Sequence, residues 1–165
     1  RGVGLSILHS MIDQIPDKLL HLVIEPFYAM NPELKALCRK EVALLIGYIA
    51  SKRGNTPLFY KYLGKLASNL SKRAQDSDSR VREACGDAFA RMTKQCIRYI
   101  DSLPPHSELP HLSSTNELIA KLMKPIMRNI EKCISPNSIT GNFLCLSNVI
   151  LSADNYLNLT HVIII

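Results

Sequence analysis

Residues Asp76–Met92 read Asp-Ser-Asp-Ser-Arg-Val-Arg-Glu-Ala-Cys-Gly-Asp-Ala-Phe-Ala-Arg-Met, and their reading decides the fold. An Asp/Ser turn passes into a run whose apolar residues recur at helical spacing. The same pattern stands 47 residues earlier. With Leu34 set against Val81, Leu37 meets Ala84, Cys38 meets Cys85, Val42 meets Phe89, Leu45 meets Met92 and Ile49 meets Cys96. The flanking base is kept, Lys35 against Arg82.

Self-similarity at ~40–47 residues built from helical hairpins is the signature of HEAT or armadillo arrays. The expected fold is therefore all-α, an α-α superhelix of about three hairpins behind a leading helix. Working outward, the periodicity predicts helices over Leu5–Ile15, Asp17–Met30, Glu33–Lys52, Pro57–Ala74, Ser79–Ile100, Glu117–Cys133 and Ile139–Leu151. Pro16 ends the first, Pro26 shortens or bends the second, and Thr56-Pro57 opens the fourth as cap and first-turn proline. The turns inside the hairpins, Met30–Leu34, Ala74–Val81 and Cys133–Ile139, should line one edge, because successive repeats stack in nearly the same orientation. A loop at Asp101–Asn116, with three prolines, lies between units. Residues 1–152 form the array and 153–165 a C-terminal tail. Arg1 falls within a helical pattern without an initiator Met, so the chain reads as a piece of a longer array.

With 47% hydrophobic residues, the chain has the apolar content of a folded domain. No stretch approaches the ~20 apolar residues that span a bilayer, so no membrane insertion is expected. Five Cys, none in a CxxC pair, read as buried free thiols of a reduced, intracellular protein. Cys38 and Cys85 stand at equivalent core positions. His106 and His111 lie five apart in the loop without further ligands nearby, so neither a metal nor another cofactor is expected. No nucleophile elbow or Gly-rich phosphate loop is present, and the reading is non-enzymatic. Formal net charge is +6, and Ser51–Arg73 holds six bases and no acid: Lys52, Arg53, Lys61, Lys65, Lys72 and Arg73. Such a stripe favours an acidic partner. Nucleic acid is disfavoured, because Tyr62 falls on the apolar face of its helix and no nucleic-acid module is recognisable.

In the 76–82 stretch, Asp76 and Asp78 suit helix capping. Arg82 suits a ladder role, pairing with a turn acid of a neighbouring repeat. Lys72, Arg73 and Arg80 flank the turn and look free for a partner. Ser135-Pro136 is a site where proline-directed phosphorylation would fit.

Asp76–Met92 also resembles the "DPDSxVRxAC" segment of the Tortifolia/Spiral-type plant microtubule-associated proteins. Leu122–Ile150 is similar to that family's next repeat, and Cys38–Asn55, ending Arg-Gly-Asn, to the preceding one. The resemblance covers roughly Glu33–Leu151. It departs at Ser77, where the family has Pro, and at Ile139-Thr140, where Val-Arg would stand. It implies a HEAT array related to the TOG arrays that bind tubulin through their intra-repeat turns. Carried over, the tubulin face would comprise Asn31, Lys35, Lys72, Arg73, Ser77, Arg80 and Asn137. The implied function is a microtubule-binding scaffold of the cytoplasmic cytoskeleton that organises or stabilises microtubules. The runner-up reading is an importin-like or armadillo-like adaptor holding a peptide or protein cargo, and a third is an enzyme regulatory subunit.

Overall fold

The computed structural model describes residues 2–104, 114–132 and 134–153, with side chains from Ile7 onward. The expected tail beyond Ala153, Cys133, and the middle of the expected loop with His106 and His111 lie outside the described residues.

Among the described residues seven α-helices follow one another: α1 (Gly2–Gln14), α2 (Leu20–Ile24), α3 (Ala36–Arg53), α4 (Tyr60–Arg73), α5 (Ser79–Ser102), α6 (Thr115–Lys132) and α7 (Pro136–Ser152). No strand occurs among the described residues. The second element departs most from expectation. In place of one helix over Asp17–Met30, α2 is flanked by 3-10 turns at Asp17–Leu19 and Glu25–Tyr28. Pro26 is the cause: it has no N–H to give to the preceding turn, and its ring crowds that turn's carbonyl.

Helices α3, α5 and α7 pack side by side as one layer, and α4 and α6 form a second layer across from them. The hairpins α4–α5 and α6–α7 are repeat units; α2 and α3 precede them in the chain, with α3 packed on α5. This is a HEAT-type solenoid. The α3/α5 contact is close because it is made by small residues: a Cβ on Gly47 would stand 2.9 Å from the Cα of Ala88. The core between layers is closed by Ile46, Leu63, Leu66, Phe89, Met92 and Leu122, all buried. Each such side chain contributes about 1.5–3 kcal/mol on burial. Tyr60 is buried among them, and its hydroxyl lies 3.3 Å from the Gly54 carbonyl and 3.2 Å from that of Cys96.

The 47-residue register holds in the second half of α3, where Leu45 and Ile49 are buried like Met92 and Cys96. It fails in the first half. Leu34 and Leu37 are exposed and Cys38 is an exposed free thiol, whereas Val81, Ala84 and Cys85 are buried. Val81 and Cys85 have a full helix, α4, packed on their helix; α3 follows the broken α2 in the chain and does not pack closely on it. Burial pushes the thiols of Cys85 and Cys96 up to about 12 and raises that of Cys145 as well. Among the described residues, no helix is long and apolar enough to cross a membrane, and no group of three His, Cys, Asp or Glu gathers as metal ligands would.

Candidate functional site: the turn edge

The turn between α4 and α5 is built by its own acids. Asp78 is the N-cap of α5, its Oδ1 accepting from the Arg80 backbone N–H at 2.9 Å. Asp76 Oδ1 accepts from the Asp78 N–H at 2.9 Å, the local turn that short Asp side chains favour. Arg82 Nη1 donates to the carbonyls of Asp76 and Ser77, both at 2.8 Å. Arg82 thus staples its own turn, and among the described residues it pairs with no acid of a neighbouring repeat. The pair between units is made by Arg39 of α3. Its Nε and Nη2 donate to Asp76 Oδ2 and Oδ1 at 2.7 and 2.9 Å, a bidentate fork. Its Nη1 reaches back to the carbonyls of Pro32 and Leu34 in the preceding turn. One guanidinium therefore locks two turns together. The sequence held one signal for it: Arg39 stands one helical turn after Lys35, on the same face.

Arg73 is corrected in the same way. It is 5% exposed, at the floor of the cleft between the first two turns, and its donors are used inside the protein. Its Nε donates to Asn69 Oδ1 at 2.7 Å, and its Nη2 to the carbonyls of Phe27 and Ala29 at 2.9 and 2.8 Å. Burial lowers its pKa from the ordinary arginine value. Arg73 is a structural clamp on the first turn.

On the other side, the backbone of Gly141 in α7 seats against the Ala74 carbonyl. Ser135 caps α7, its Oγ accepting from the Ser138 N–H at 3.1 Å. Buried Ser71 ties the layers nearby: its hydroxyl lies 2.6 Å from Asn142 Oδ1 and 3.1 Å from the Pro125 carbonyl, and accepts from Asn129 Nδ2 at 2.7 Å. These contacts set the turns in one row. Along it Asn31, Lys35, Lys72, Ser77, Arg80 and Asn137 are exposed. Between the first two turns opens a cleft of ≈410 Å³, with Met30, Asn31 and Pro32 on one side and Asp76, Ser77 and Val81 on the other.

The edge is not uniformly basic. Arg80 folds onto Asp78, Nη2 to Oδ2 at 2.7 Å, so its charge is largely spent locally. Lys35 and Lys72 make no ion pair among the described residues. The basic stripe of the sequence is also divided. Arg53 donates to the carbonyls of Ile12 and Ile15, each at 2.6 Å, and so caps the C-terminus of α1. Lys61, Lys65 and Lys72 are left at the surface.

The Arg39 fork holds the Asp76 carboxyl below its ordinary 3.8, and the Arg80 side chain holds that of Asp78 down at about 2. Both folded values are depressed, so the stability these groups add is complete above pH ~4 and is lost as the pH falls through the folded values. Melting temperature is expected to decline as the pH is lowered from about 4 to about 2. Asn at both positions retains capping ability, and Asp76→Asn/Asp78→Asn should flatten that decline while lowering the neutral-pH plateau. Thermal melts followed by circular dichroism across this range test it. A decline equally steep in the double variant would place the acid sensitivity elsewhere.

Comparison with known proteins places this geometry in a lineage. Residues 2–161 match the family model described as TORTIFOLIA1 N-terminal. TORTIFOLIA1-like protein 1 of Arabidopsis thaliana is 26% identical over 98 residues, 58% of this chain and 12% of the relative. TORTIFOLIA1-like protein 4 of the same plant is 28% identical over 98 residues, 57% of this chain and 15% of the relative. The matched stretch is thus a small part of the length of these relatives. With the family model spanning nearly all of it, this helical array belongs to the TORTIFOLIA1 N-terminal family.

Proposed function

We propose that this array is a non-enzymatic, microtubule-binding scaffold and that its turn edge is the face that meets tubulin. Membership of the TORTIFOLIA1 family supports the assignment, since the Tortifolia/Spiral-type proteins it resembles are microtubule-associated. The observation that carries the choice of face is the Arg39–Asp76 fork. It fixes the first two turns relative to one another, and on them Lys35 and Lys72 are exposed and make no ion pair among the described residues. A rigid row of bases suits an acidic surface, where complementary charge steers encounter and fixes register. Asn31, Ser77 and Asn137 add neutral hydrogen-bonding groups along the same row. Arg73 is withdrawn from the face, and Arg80 contributes less than its formal charge. The place of action that follows is the microtubule cytoskeleton of the cytoplasm.

Co-sedimentation with taxol-stabilised microtubules over a salt series tests this. Lys35→Ala/Lys72→Ala/Arg80→Ala should weaken binding roughly tenfold at low salt, as expected for three rim charges, and reduce its salt dependence. Wild-type affinity in a folded triple variant would remove the turn edge as the tubulin face.

A further inference from the structure

Beyond the turn edge, the layer formed by α4 and α6 carries a second concentration of positive charge. On α4, Lys61 and Lys65 are one helical turn apart and exposed. On α6, Lys121, Lys124 and Arg128 follow at helical spacing, with Lys124 and Arg128 exposed. The two stripes are neighbours. Lys121 lies across α4 where that helix has no side chain, its Cε 3.4 Å from the place a Cβ on Gly64 would take. Further along, Asn129 of α6 donates to Ser71 of α4. Both contacts advance in the same chain direction, so the helices run parallel and their stripes stand abreast. Among the described residues none of these five bases is in an ion pair. Lys65 only overlies the Tyr28 ring, at 5.4 Å. The acids of α6, Glu117 and Glu131, stand toward its two ends, and α4 has none.

We propose that this outer face of α4 and α6 is a second docking surface, for an acidic, extended segment of a partner polypeptide. The shape and chemistry select that occupant. The bases are mostly lysines, hydrated point charges that attract carboxylates without demanding a fixed fork geometry. Packed helices lie about 8–10 Å apart. An extended chain running between them sends alternate side chains to opposite sides, so Glu or Asp residues along it would reach both stripes. A nucleic-acid strand is disfavoured because the rings near this face are not free for stacking: Tyr60 is buried, Tyr62 half-buried, and half-buried Tyr28 is overlain by Lys65. A bilayer is disfavoured because surface binding draws on inserted apolar side chains, and Met127 is the one large exposed hydrophobe on these two helices. The inference does not rest on the tubulin reading, which uses the other edge.

The test is fluorescence anisotropy of a labelled twelve-residue Glu-rich peptide with the full chain at low salt. Binding is expected, and should weaken about tenfold as salt is raised through the range where exposed charges become screened. Lys61→Gln/Lys124→Gln/Arg128→Gln, all at exposed side chains, should weaken it at least tenfold with an unchanged melting temperature. Lys35→Ala/Arg80→Ala, on the turn edge, should change it less than about twofold. Absence of binding, unchanged affinity in the Gln variant, or loss in the turn-edge variant would overturn the proposal. So would tighter binding to phosphatidylserine vesicles or to a single-stranded oligonucleotide than to the peptide. Because microtubule binding is read out through a different set of residues, either proposal can fail while the other stands.

Discussion

Gly141→Ala is expected to lower the melting temperature of this array by roughly 6–12 °C. An ideal Cβ at that position falls 1.7 Å from the Ala74 carbonyl oxygen, 2.8 Å from its carbon and 2.9 Å from Arg82 Cδ. Two of these atoms are backbone and cannot rotate away. Nor is that backbone free to shift as a loop would. Ala74 is fully buried, donates to the Leu70 carbonyl at 2.8 Å, and is flanked by the Arg73 clamp and the Asp76 turn. The added methyl must push α7 away from the α4–α5 turn and disturb Arg82, which staples that turn. Overpacking of this kind costs about 3 kcal/mol, and each kcal/mol shifts the midpoint of a domain this size by roughly 2–4 °C. The matched control is Gly64→Ala. Its Cβ meets nothing closer than the far end of Lys121, at 3.4 Å, and in a helix interior Ala is favoured over Gly by up to about 1 kcal/mol. That variant should melt at or slightly above wild type. Thermal melts of the pair decide it: if Gly141→Ala melts within about 2 °C of wild type, less than 1 kcal/mol is lost and α7 does not seat on Ala74 as described.

How far the sequence foretold this architecture depends on which kind of contact is asked about. Apolar spacing reports the face a helix buries, so α3, α5, α6 and α7 and their hairpin pairing were legible. The spacing does not report whether a neighbour exists to bury that face. Leu34, Leu37 and Cys38 have the same pattern as Val81, Ala84 and Cys85, and only the second set follows a full helix packed on its own. The arginines were the least legible. Arg39, Arg73, Arg80 and Arg82 are chemically identical, and three of them bind backbone carbonyls. Those acceptors come from the path of the chain, which no residue type announces. Asp78 was readable as a cap because its partner is two residues away; Asp76 was not readable as the seat of the Arg39 fork because its partner is 37 residues away. The Lys61–Lys65 stripe was visible as composition, but its alignment with α6 depends on Gly64 and Ser71, two small residues that carry no charge signal.

Arg73→Met is expected to cost about 2–4 kcal/mol, and this distinguishes a clamp from a surface contact. Met fills much of the same volume, so the loss is chiefly polar. The carbonyls of Phe27 and Ala29 and the side-chain oxygen of Asn69 each lose a donor. An acceptor left buried without a partner costs about 1–3 kcal/mol. Part of this is offset, because the buried guanidinium no longer has to be held out of water. The orphaned carbonyls belong to a segment that cannot satisfy them itself. Glu25–Tyr28 is a single 3-10 turn after α2, leading straight into the extended Ala29. The Asn69 amide, which donates to the Tyr28 carbonyl at 3.1 Å, is then left, with Lys65 over the Tyr28 ring, to tie α4 to that segment. Hydrogen exchange should therefore rise first around residues 25–30, with α5 and α7 protected as before. Lys72→Met, one residue away and exposed, should change stability by no more than about 0.5 kcal/mol. The two neighbours are expected to separate in function also. Lys72→Met should weaken microtubule binding without unfolding anything. Arg73→Met should loosen the first turn, so that any loss of binding tracks the loss of protection there. If Arg73→Met kept full stability and native exchange at residues 25–30 yet lost binding, the guanidinium would be a partner contact after all and the clamp described here would be wrong.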